Sequence, residues 1–164
     1  MSLCLTRLCT DGRLQKELEL EAGPAARPEL IVLIIEYRDE IFSRLEHDLR
    51  QRDIGCYRAI SAEEVLRIHS RIPVSLTLAG ANLPETSIWL TTAKLRLYDP
   101  DAPIWLYIAR PSRTERRDAK LAGLERLLGY DGSLVDLSDQ VAPAVAASQY
   151  RLAVRRRETR INWT

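Results

Sequence analysis

The six-residue run from Leu30 to Ile35 constrains the fold more than any other part of the chain. It is apolar at every position and rich in β-branched residues, so it lacks the alternation of a strand that has one face in water. Such a run predicts a strand buried on both faces, which is typical of a parallel sheet covered by helices. At six residues it is too short to cross a bilayer.

A stretch of helical period follows this strand. Ile41, Leu45 and Leu49 repeat every four residues, and they predict an amphipathic helix from about Asp39 to Arg52 that ends near Gly55. The same change, from a short apolar run to a stretch of helical period, recurs along the chain. Further strands are predicted at 56–60, 74–78, 104–108 and 124–128, and further helices after residue 61, at 86–97, at 113–121 and at about 138–157.

Two local signals bear on the ends of these helices. Ser61 and Glu64 have the spacing of a capping box, which predicts that a helix opens there. Pro143 is harmless only in a first turn, so the last helix either begins nearer Ala142 or is kinked at the proline. Val141, Val145 and Leu152 are predicted to face inward.

Five strands alternating with five helices predict an α/β fold with a doubly wound parallel sheet, because each right-handed crossover needs a helix to span it. Strand order 2-1-3-4-5, with helices on both faces, is the simplest such arrangement at 164 residues. We expect one domain over residues 30–158 and a tail at 159–164. An N-terminal arm at 1–29 ends in the linker Gly23–Pro28, and its Leu14, Leu18 and Leu20 suit a short helix or an edge strand laid on a partner.

Charge and motifs exclude several classes of function. With 24 basic and 23 acidic residues, the chain lacks the surplus that drives nucleic-acid binding. Three cysteines at no metal-ligand spacing argue against a disulfide framework, and the first residues lack a secretory signal, so a cytoplasmic setting is expected. Phosphate-binding loops and hydrolase motifs are absent, and His47 and His69 are predicted to be solvated.

Two short motifs carry a resemblance to a known family, Val32-Leu33-Ile34-Ile35-Glu36 and Asn82-Leu83-Pro84-Glu85, and a third, Ala102-Pro103-Ile104-Trp105-Leu106, supports it by its order and separation from them. The first resembles the opening strand of response-regulator receiver domains, running into that family's acidic pair. The second is similar to the turn after the phosphoacceptor strand, and the third to the start of the fourth strand. The resemblance extends from Leu30 to about Arg155.

The resemblance implies a phosphorylation site that has lost most of its chemistry. A working receiver uses an Asp nucleophile, two further acids that help hold magnesium, a hydroxyl residue and a lysine. The corresponding positions are Glu36 and Tyr37 for the acids, Gly80 for the nucleophile, Ile108 for the hydroxyl and, within a residue or two, Tyr130 for the lysine. We therefore expect a pseudo-receiver with no catalytic residue, no metal and no cofactor. We hypothesise that Tyr37 and Tyr130 fill the vacated pocket.

The function implied is regulatory binding and not catalysis. The expected partner is a kinase, a phosphotransfer protein, an effector or a second copy, bound through the last two helices, which form the usual contact face of receivers. One alternative is the N-terminal regulatory domain of a larger protein, such as a DNA-binding response regulator or the wing domain of a basic amino-acid decarboxylase. A small flavodoxin-like enzyme is disfavoured, since acidic Glu36 and Asp39 after the first strand would repel a flavin phosphate.

Overall fold

The first strand, β1 (Leu30–Ile35), is buried on both sides in the computed structural model, as its composition predicts. The structure describes residues 30–83 and 87–161, with side chains as far as residue 148. The strands that follow in the described part are β2 (Ile54–Ala59), β3 (Leu76–Gly80), β4 (Ile104–Ile108) and β5 (Arg126–Gly129). The helices are α1 (Asp39–Arg50), α2 (Ala62–Arg71), α3 (Ile88–Tyr98), α4 (Arg113–Leu121) and α5 (Leu134–Ile161).

All strand pairs are parallel and their order is β2-β1-β3-β4-β5, which confirms the predicted fold class and strand order. In this arrangement the carboxyl ends of β1, β3 and β4 lie side by side. Glu36 follows β1 directly, Gly80 ends β3, and Tyr107 is paired with Gly80 across the β3–β4 ladder. The topology therefore brings these three residues to one edge of the sheet.

The two faces of the sheet carry separate cores. Val32 and Ile34 point to the side covered by α1 and α5, while Leu33 and Ile35 point to the side covered by α2 and α3. All four are essentially excluded from solvent. Complete burial of an aliphatic side chain contributes about 1.5–3 kcal/mol, so β1 anchors both cores at once.

Several element boundaries differ from the prediction by a few residues. The helix α1 ends at Arg50 and not near Gly55, because the chain turns at Asp53, whose φ of 58° is left-handed, and Gly55 lies within β2. The third strand was predicted at 74–78 and is found two residues later, so its last residue is Gly80. At α2 the Ser61 hydroxyl accepts from the Glu64 N–H at 3.2 Å, but the Glu64 carboxylate accepts from Ile60 instead of Ser61.

The last helix begins earlier than predicted. The Ser133 hydroxyl accepts a hydrogen bond from the Asp136 N–H at 3.2 Å and opens α5 at Leu134. A start near Ala142 is wrong, since Pro143 lies inside the helix. Val141 and Val145 are fully buried, as predicted.

Of the two histidines, His47 is exposed as predicted, but His69 is half-buried. Its Nε2 lies 2.8 Å from the hydroxyl of Thr77, a fully buried residue of β3. The solvated setting predicted for His69 is therefore wrong. The helical period of α2 placed it on a charged face but did not reveal a polar partner on the neighbouring strand.

The N-terminal arm, Pro84, Glu85 and Trp163 lie outside the described residues, as does the side chain of Leu152. The domain boundaries inferred from the sequence stay predictions. Within the described ranges, no helix has the length and apolar character needed to cross a membrane.

Candidate functional site

A buried carboxylate, that of Glu36, lies at the centre of the carboxyl edge of the sheet. Its residue is 0% exposed, and its backbone N–H donates to the Ala59 carbonyl at 3.2 Å, which fixes it between β1 and β2. Oε1 accepts from the backbone N–H of Arg38 at 3.0 Å and from Arg38 Nε at 2.9 Å. Oε2 accepts from Arg38 Nη2 at 2.8 Å and from the Tyr107 hydroxyl. A carboxylate offers about four acceptor positions, and four donors occupy them here.

Arg38 neutralises this carboxylate from only two residues away. Its guanidinium binds both oxygens at once, the bidentate geometry that is strongest for an arginine–carboxylate pair. The Arg38 side chain is 38% exposed, so the ion pair has one buried and one half-exposed member. Tyr37, the residue between them, is 42% exposed, and the Arg38 guanidinium lies 5.7 Å from its ring centroid.

The protonation states of the cluster follow from these contacts. Burial raises the pKa of Glu36, but the hydrogen bonds from Arg38 and Tyr107 outweigh it and hold that pKa below the usual 4.5. Burial, together with the bond to Glu36, raises the pKa of Tyr107 well above its usual value. The hydrogen bond to Glu36 likewise raises the pKa of Arg38. At neutral pH the cluster therefore holds an anion, a cation and a neutral phenol.

The ends of two neighbouring side chains occupy the space where a side chain on Gly80 would begin. A Cβ built on Gly80 would lie 2.8 Å from Glu36 Oε2 and 3.0 Å from the Tyr107 hydroxyl oxygen. Real Cβ atoms essentially never approach heavy atoms to under 3.0 Å. Both contacts belong to polar atoms that are held in a buried hydrogen bond to each other. A Cβ at position 80 would therefore force one or both of these side-chain ends to shift, and the constraint on residue 80 comes from close approach and not from an unusual backbone angle.

Tyr130, the residue after β5, supports the cluster from the neighbouring strand end. Its ring packs edge-on against the Tyr107 ring, with centroids 5.5 Å apart and planes at 71°. Its backbone N–H donates to the Ile108 carbonyl at 2.9 Å, and its hydroxyl donates to the Gly132 carbonyl at 3.2 Å. The second aromatic ring therefore limits the rotamers open to Tyr107.

Arg58 of β2 fixes the segment that connects β1 to α1. Its Nε donates to the Glu36 carbonyl at 2.8 Å and its Nη2 to the Tyr37 carbonyl at 2.6 Å, while Nη1 pairs with Asp39. The guanidinium also lies 5.1 Å from the ring centroid of Phe42. Because these contacts hold two successive carbonyls, the turn that carries Glu36 and Arg38 is tied to the sheet.

The structure brings together some of the residues singled out from the sequence and not others. Glu36 lies beside Gly80, with its Oε2 2.8 Å from where a Cβ of residue 80 would stand, and Tyr130 packs on Tyr107, which binds Glu36. Ile108 contributes its backbone carbonyl, and Tyr37 is 42% exposed, whereas Tyr107 is the tyrosine that binds Glu36 beside Gly80.

Sequence reasoning missed two residues, Arg38 and Tyr107. A tyrosine within an otherwise apolar strand was the available signal, since a buried phenol needs a hydrogen-bond partner. An arginine two residues after a lone buried acid was the second signal, since a buried carboxylate needs a cation or several donors.

The resemblance to receivers implies a magnesium site, but these residues do not fit a magnesium ion. The oxygens of Glu36 are occupied by four donors, and Tyr37 and Gly80 offer no second carboxylate. Among the described residues, no group of three or more histidine, cysteine, aspartate or glutamate side chains is placed to hold a metal ion. The groups around Glu36 are therefore hydrogen-bond donors and a cation, as in an ion pair, and not the oxygen ligands of a metal site.

Solved receiver domains share this fold. A CheY-like response regulator receiver domain protein from Methanospirillum hungatei is 16% identical, with a TM-score of 0.66 over 74% of this chain and 98% of its own. The signal receiver domain of an HD domain-containing protein from Pseudomonas fluorescens is 19% identical, with a TM-score of 0.64 over 74% and 98%. A two-component response regulator from Clostridium difficile is 19% identical, with a TM-score of 0.64 over 72% and 97%. No family model and no curated protein sequence matches the chain. The chain therefore has the receiver-type, flavodoxin-like fold.

Proposed function

We propose that this chain is a pseudo-receiver, a signalling module that binds protein partners and does not accept a phosphoryl group. The observation that carries the proposal is the hydrogen bond between Tyr107 and Glu36, which lies where a side chain of Gly80 would begin. Gly80 stands at the receiver's phosphoacceptor position and offers no nucleophile. The volume that an aspartate there would need is taken by a buried hydrogen bond.

The charges of the cluster support a single fixed state. In a working receiver, phosphorylation adds about two negative charges, and a metal ion and a lysine balance them. Here one buried negative charge on Glu36 is balanced by Arg38 within the same turn. Because both charges are part of the chain, no added group is needed to complete the pair. We infer that the domain is held permanently in one conformation, with no enzymatic activity of its own.

The face formed by α4 and α5 is the proposed contact surface. Its α4 side carries exposed Arg116 and Lys120, while exposed Asp131 lies in the turn before α5 and exposed Asp136 in its first turn. A two-fold dimer places such a patch against itself, so basic α4 of one copy would meet the acidic start of α5 of the other. A kinase, a phosphotransfer protein or an effector would use the same charges. A cytoplasmic setting remains a prediction.

A second candidate is that the domain regulates a further domain of a longer protein. The length of α5 favours it: 28 residues of helix span about 42 Å, whereas the five-residue strand β4 spans about 17 Å. A helix that outruns its own sheet suits a rigid connection. In this second candidate function, α5 would connect the fixed receiver-type domain rigidly to the further domain.

Amide correlation spectra test the proposed fixed state. The full chain is compared with and without excess magnesium and beryllium fluoride, a phosphoryl mimic, beside a receiver that has its aspartate. We expect the amides of Glu36, Gly80 and Ala81 to stay in place while the control receiver shifts. Saturable shifts at these amides would contradict the proposal.

Partner binding is tested by affinity capture from the native cell extract, with and without acetyl phosphate and magnesium. We expect the same partners at the same level in both arms. A partner that is retained only in the presence of the phosphoryl donor would contradict phosphorylation-independent binding.

A further inference from the structure

A cavity lies at the carboxyl edge of the sheet, between the end of β5 and the first two turns of α5. Its volume is about 150 Å³. The residues that line it are Gly129, Tyr130, Asp131, Ser133, Asp136, Leu137 and Gln140. Glu36, Gly80 and Tyr107 are not among them, so the cavity is distinct from the cluster described above.

The charged side chains that line the cavity are both acidic. Asp131 and Asp136 contribute two negative charges, and neither lysine nor arginine is among the lining residues. The positive end of the α5 dipole lies at the same place, but it is equivalent to only about half a charge. The two carboxylates outweigh it, so a cationic ligand is favoured over a neutral or an anionic one.

The polar atoms that are left open at the cavity are mostly hydrogen-bond acceptors. Among the described residues, none donates to the carboxylate of Asp136, whose backbone alone is hydrogen-bonded. Asp131 accepts from the Ser133 N–H at 3.0 Å through Oδ1, which leaves Oδ2 for a ligand. Gln140 donates its side-chain nitrogen to the Asp136 carbonyl at 3.3 Å and keeps its side-chain oxygen as an acceptor. A ligand that donates several hydrogen bonds matches this arrangement.

An organic cation fits the cavity better than a metal ion does. In the part of the chain that the structure describes, no three histidine, cysteine, aspartate or glutamate side chains are grouped to hold a metal. A guanidinium group carries five N–H donors in a planar fork and binds carboxylates in a bidentate manner. A cavity of about 150 Å³ holds a benzene ring in other proteins, so it has room for a guanidinium and the methylene beside it.

We propose that this cavity binds a guanidinium group on a short aliphatic stem. The guanidinium is held by Asp131 and Asp136, and the stem packs on Leu137 and Tyr130. An arginine side chain of a protein partner is one source of this group, and on that point the inference rests on the proposed function, because both aspartates belong to the proposed contact face. A free molecule such as arginine is the other source.

Amide correlation spectra of the full chain test the site. The chain is titrated at low salt with ethylguanidinium chloride and, in a parallel sample, with ethylurea, which is neutral and has nearly the same shape. We expect saturable shifts at the amides of Gly129, Asp131 and Gln140 with ethylguanidinium and none with ethylurea. Equal shifts with the two compounds, or shifts that never saturate, would overturn the proposal.

Asp136→Asn removes one carboxylate at nearly constant volume. We expect the affinity for ethylguanidinium to fall at least about tenfold, because a hydrogen bond to a charged group is lost. Glu63→Gln makes the same change of charge at an exposed position of α2, on the other face of the sheet, and should leave that affinity unchanged. Undiminished binding to Asp136→Asn would overturn the site. Thermal unfolding of both variants checks that each is folded.

Two further probes distinguish the sources of the group. The capped peptide acetyl-Ala-Arg-Ala-amide presents a guanidinium as a protein does, whereas free arginine adds a carboxylate that the two aspartates repel. Tighter binding of the peptide supports a partner's arginine as the ligand, and tighter binding of free arginine would overturn that assignment. If ethylguanidinium does not bind at all, the site is wrong, while the proposed absence of phosphorylation, which intact mass measures separately, is untouched.

Discussion

Tyr107 and Gly80 are paired across β3 and β4, and the tyrosine hydroxyl lies 3.0 Å from where the first side-chain atom of residue 80 would stand. The two residues are therefore complementary: the phenol can reach Glu36 because residue 80 has no side chain. The side chains of Glu36 and Tyr107 therefore occupy the space beside Gly80 at the carboxyl edge of the sheet.

Removing the phenol hydroxyl should destabilise the fold. Tyr107→Phe leaves Glu36 Oε2 without one of its two donors, and a hydrogen bond to a charged group contributes about 1.5–3 kcal/mol. We expect the free energy of unfolding, measured by urea denaturation at pH 7, to fall by about 2 kcal/mol. Tyr98→Phe, at an exposed tyrosine, is the matched control and should change it by less than about 0.5 kcal/mol. Equal losses in the two variants would show that the hydroxyl of Tyr107 contributes nothing.

A single methyl group at Gly80 should be costly. Gly80→Ala forces the Cβ against Glu36 and Tyr107, and overpacking of this kind costs about 1–3 kcal/mol. Gly129→Ala is the control, since the nearest atom to its added Cβ would be Pro111 Cδ at 3.8 Å. In a Tyr107→Phe background the cost of Gly80→Ala should fall by about 0.5 kcal/mol or more, because the two sites share one contact. Strict additivity of the two substitutions would contradict direct contact.

Removing Arg38 should reverse the pH dependence that Glu36 contributes. In the wild type the pKa of Glu36 is held below 4.5, so its stabilisation is present above pH 4.5 and is lost as the pH falls. Without the guanidinium, burial dominates and raises the pKa, so Arg38→Gln should be relatively more stable below that pH. At pH 7 we expect a loss of about 2 kcal/mol, less than for a fully buried pair because Arg38 is partly solvated.

The measurement is the free energy of unfolding in urea, from about pH 3.5 to about pH 7, for Arg38→Gln and for the wild type. Arg44→Gln, which removes an exposed pair with Asp48, serves as the control and should keep the wild-type slope. A wild-type slope in Arg38→Gln would contradict the assigned role of Arg38.

His69 should make the protein less stable in mild acid. Burial lowers the pKa of His69 below 6.5, although Asp99 opposes the shift, so the unfolded chain binds the proton more readily. Its contribution is complete above pH 6.5 and is lost as the pH falls below that value. His69→Gln should flatten the stability curve between about pH 5 and 7, whereas His47→Gln at an exposed site should not. Identical curves for the two variants would contradict the assignment.

Much of the fold could be predicted from the sequence, because hydrophobic period is a local signal. The run Leu30–Ile35 gave β1 to the residue, and Ile104–Ile108 and Arg113–Leu121 were likewise placed correctly. The errors fell where a backbone turn or a side-chain cap decides the boundary, as at Asp53 and Ser133. A turn or a cap depends on one or two residues, and in a sequence its signal is weaker than the hydrophobic period of the whole helix or strand.

The candidate site was predictable in part. Glu36 and Gly80 were located through the resemblance to receiver domains, and the structure places them at the ends of β1 and β3, side by side. Arg38 and Tyr107 were missed, because their roles depend on a hydrogen bond between residues 71 positions apart and on a turn that folds an arginine back onto its neighbour. The roles of these two residues are decided by their side-chain rotamers and tertiary contacts, which the composition of the sequence does not reveal.

Intact-mass spectrometry after incubation with acetyl phosphate and magnesium tests most directly whether the chain is a receiver fold without a receiver's chemistry. A receiver that has its phosphoacceptor aspartate is treated in parallel and should gain the mass of one phosphoryl group. The mass of this chain is predicted to stay unchanged. A stable phosphoryl adduct that hydroxylamine removes, as it removes an acyl phosphate, would contradict the account.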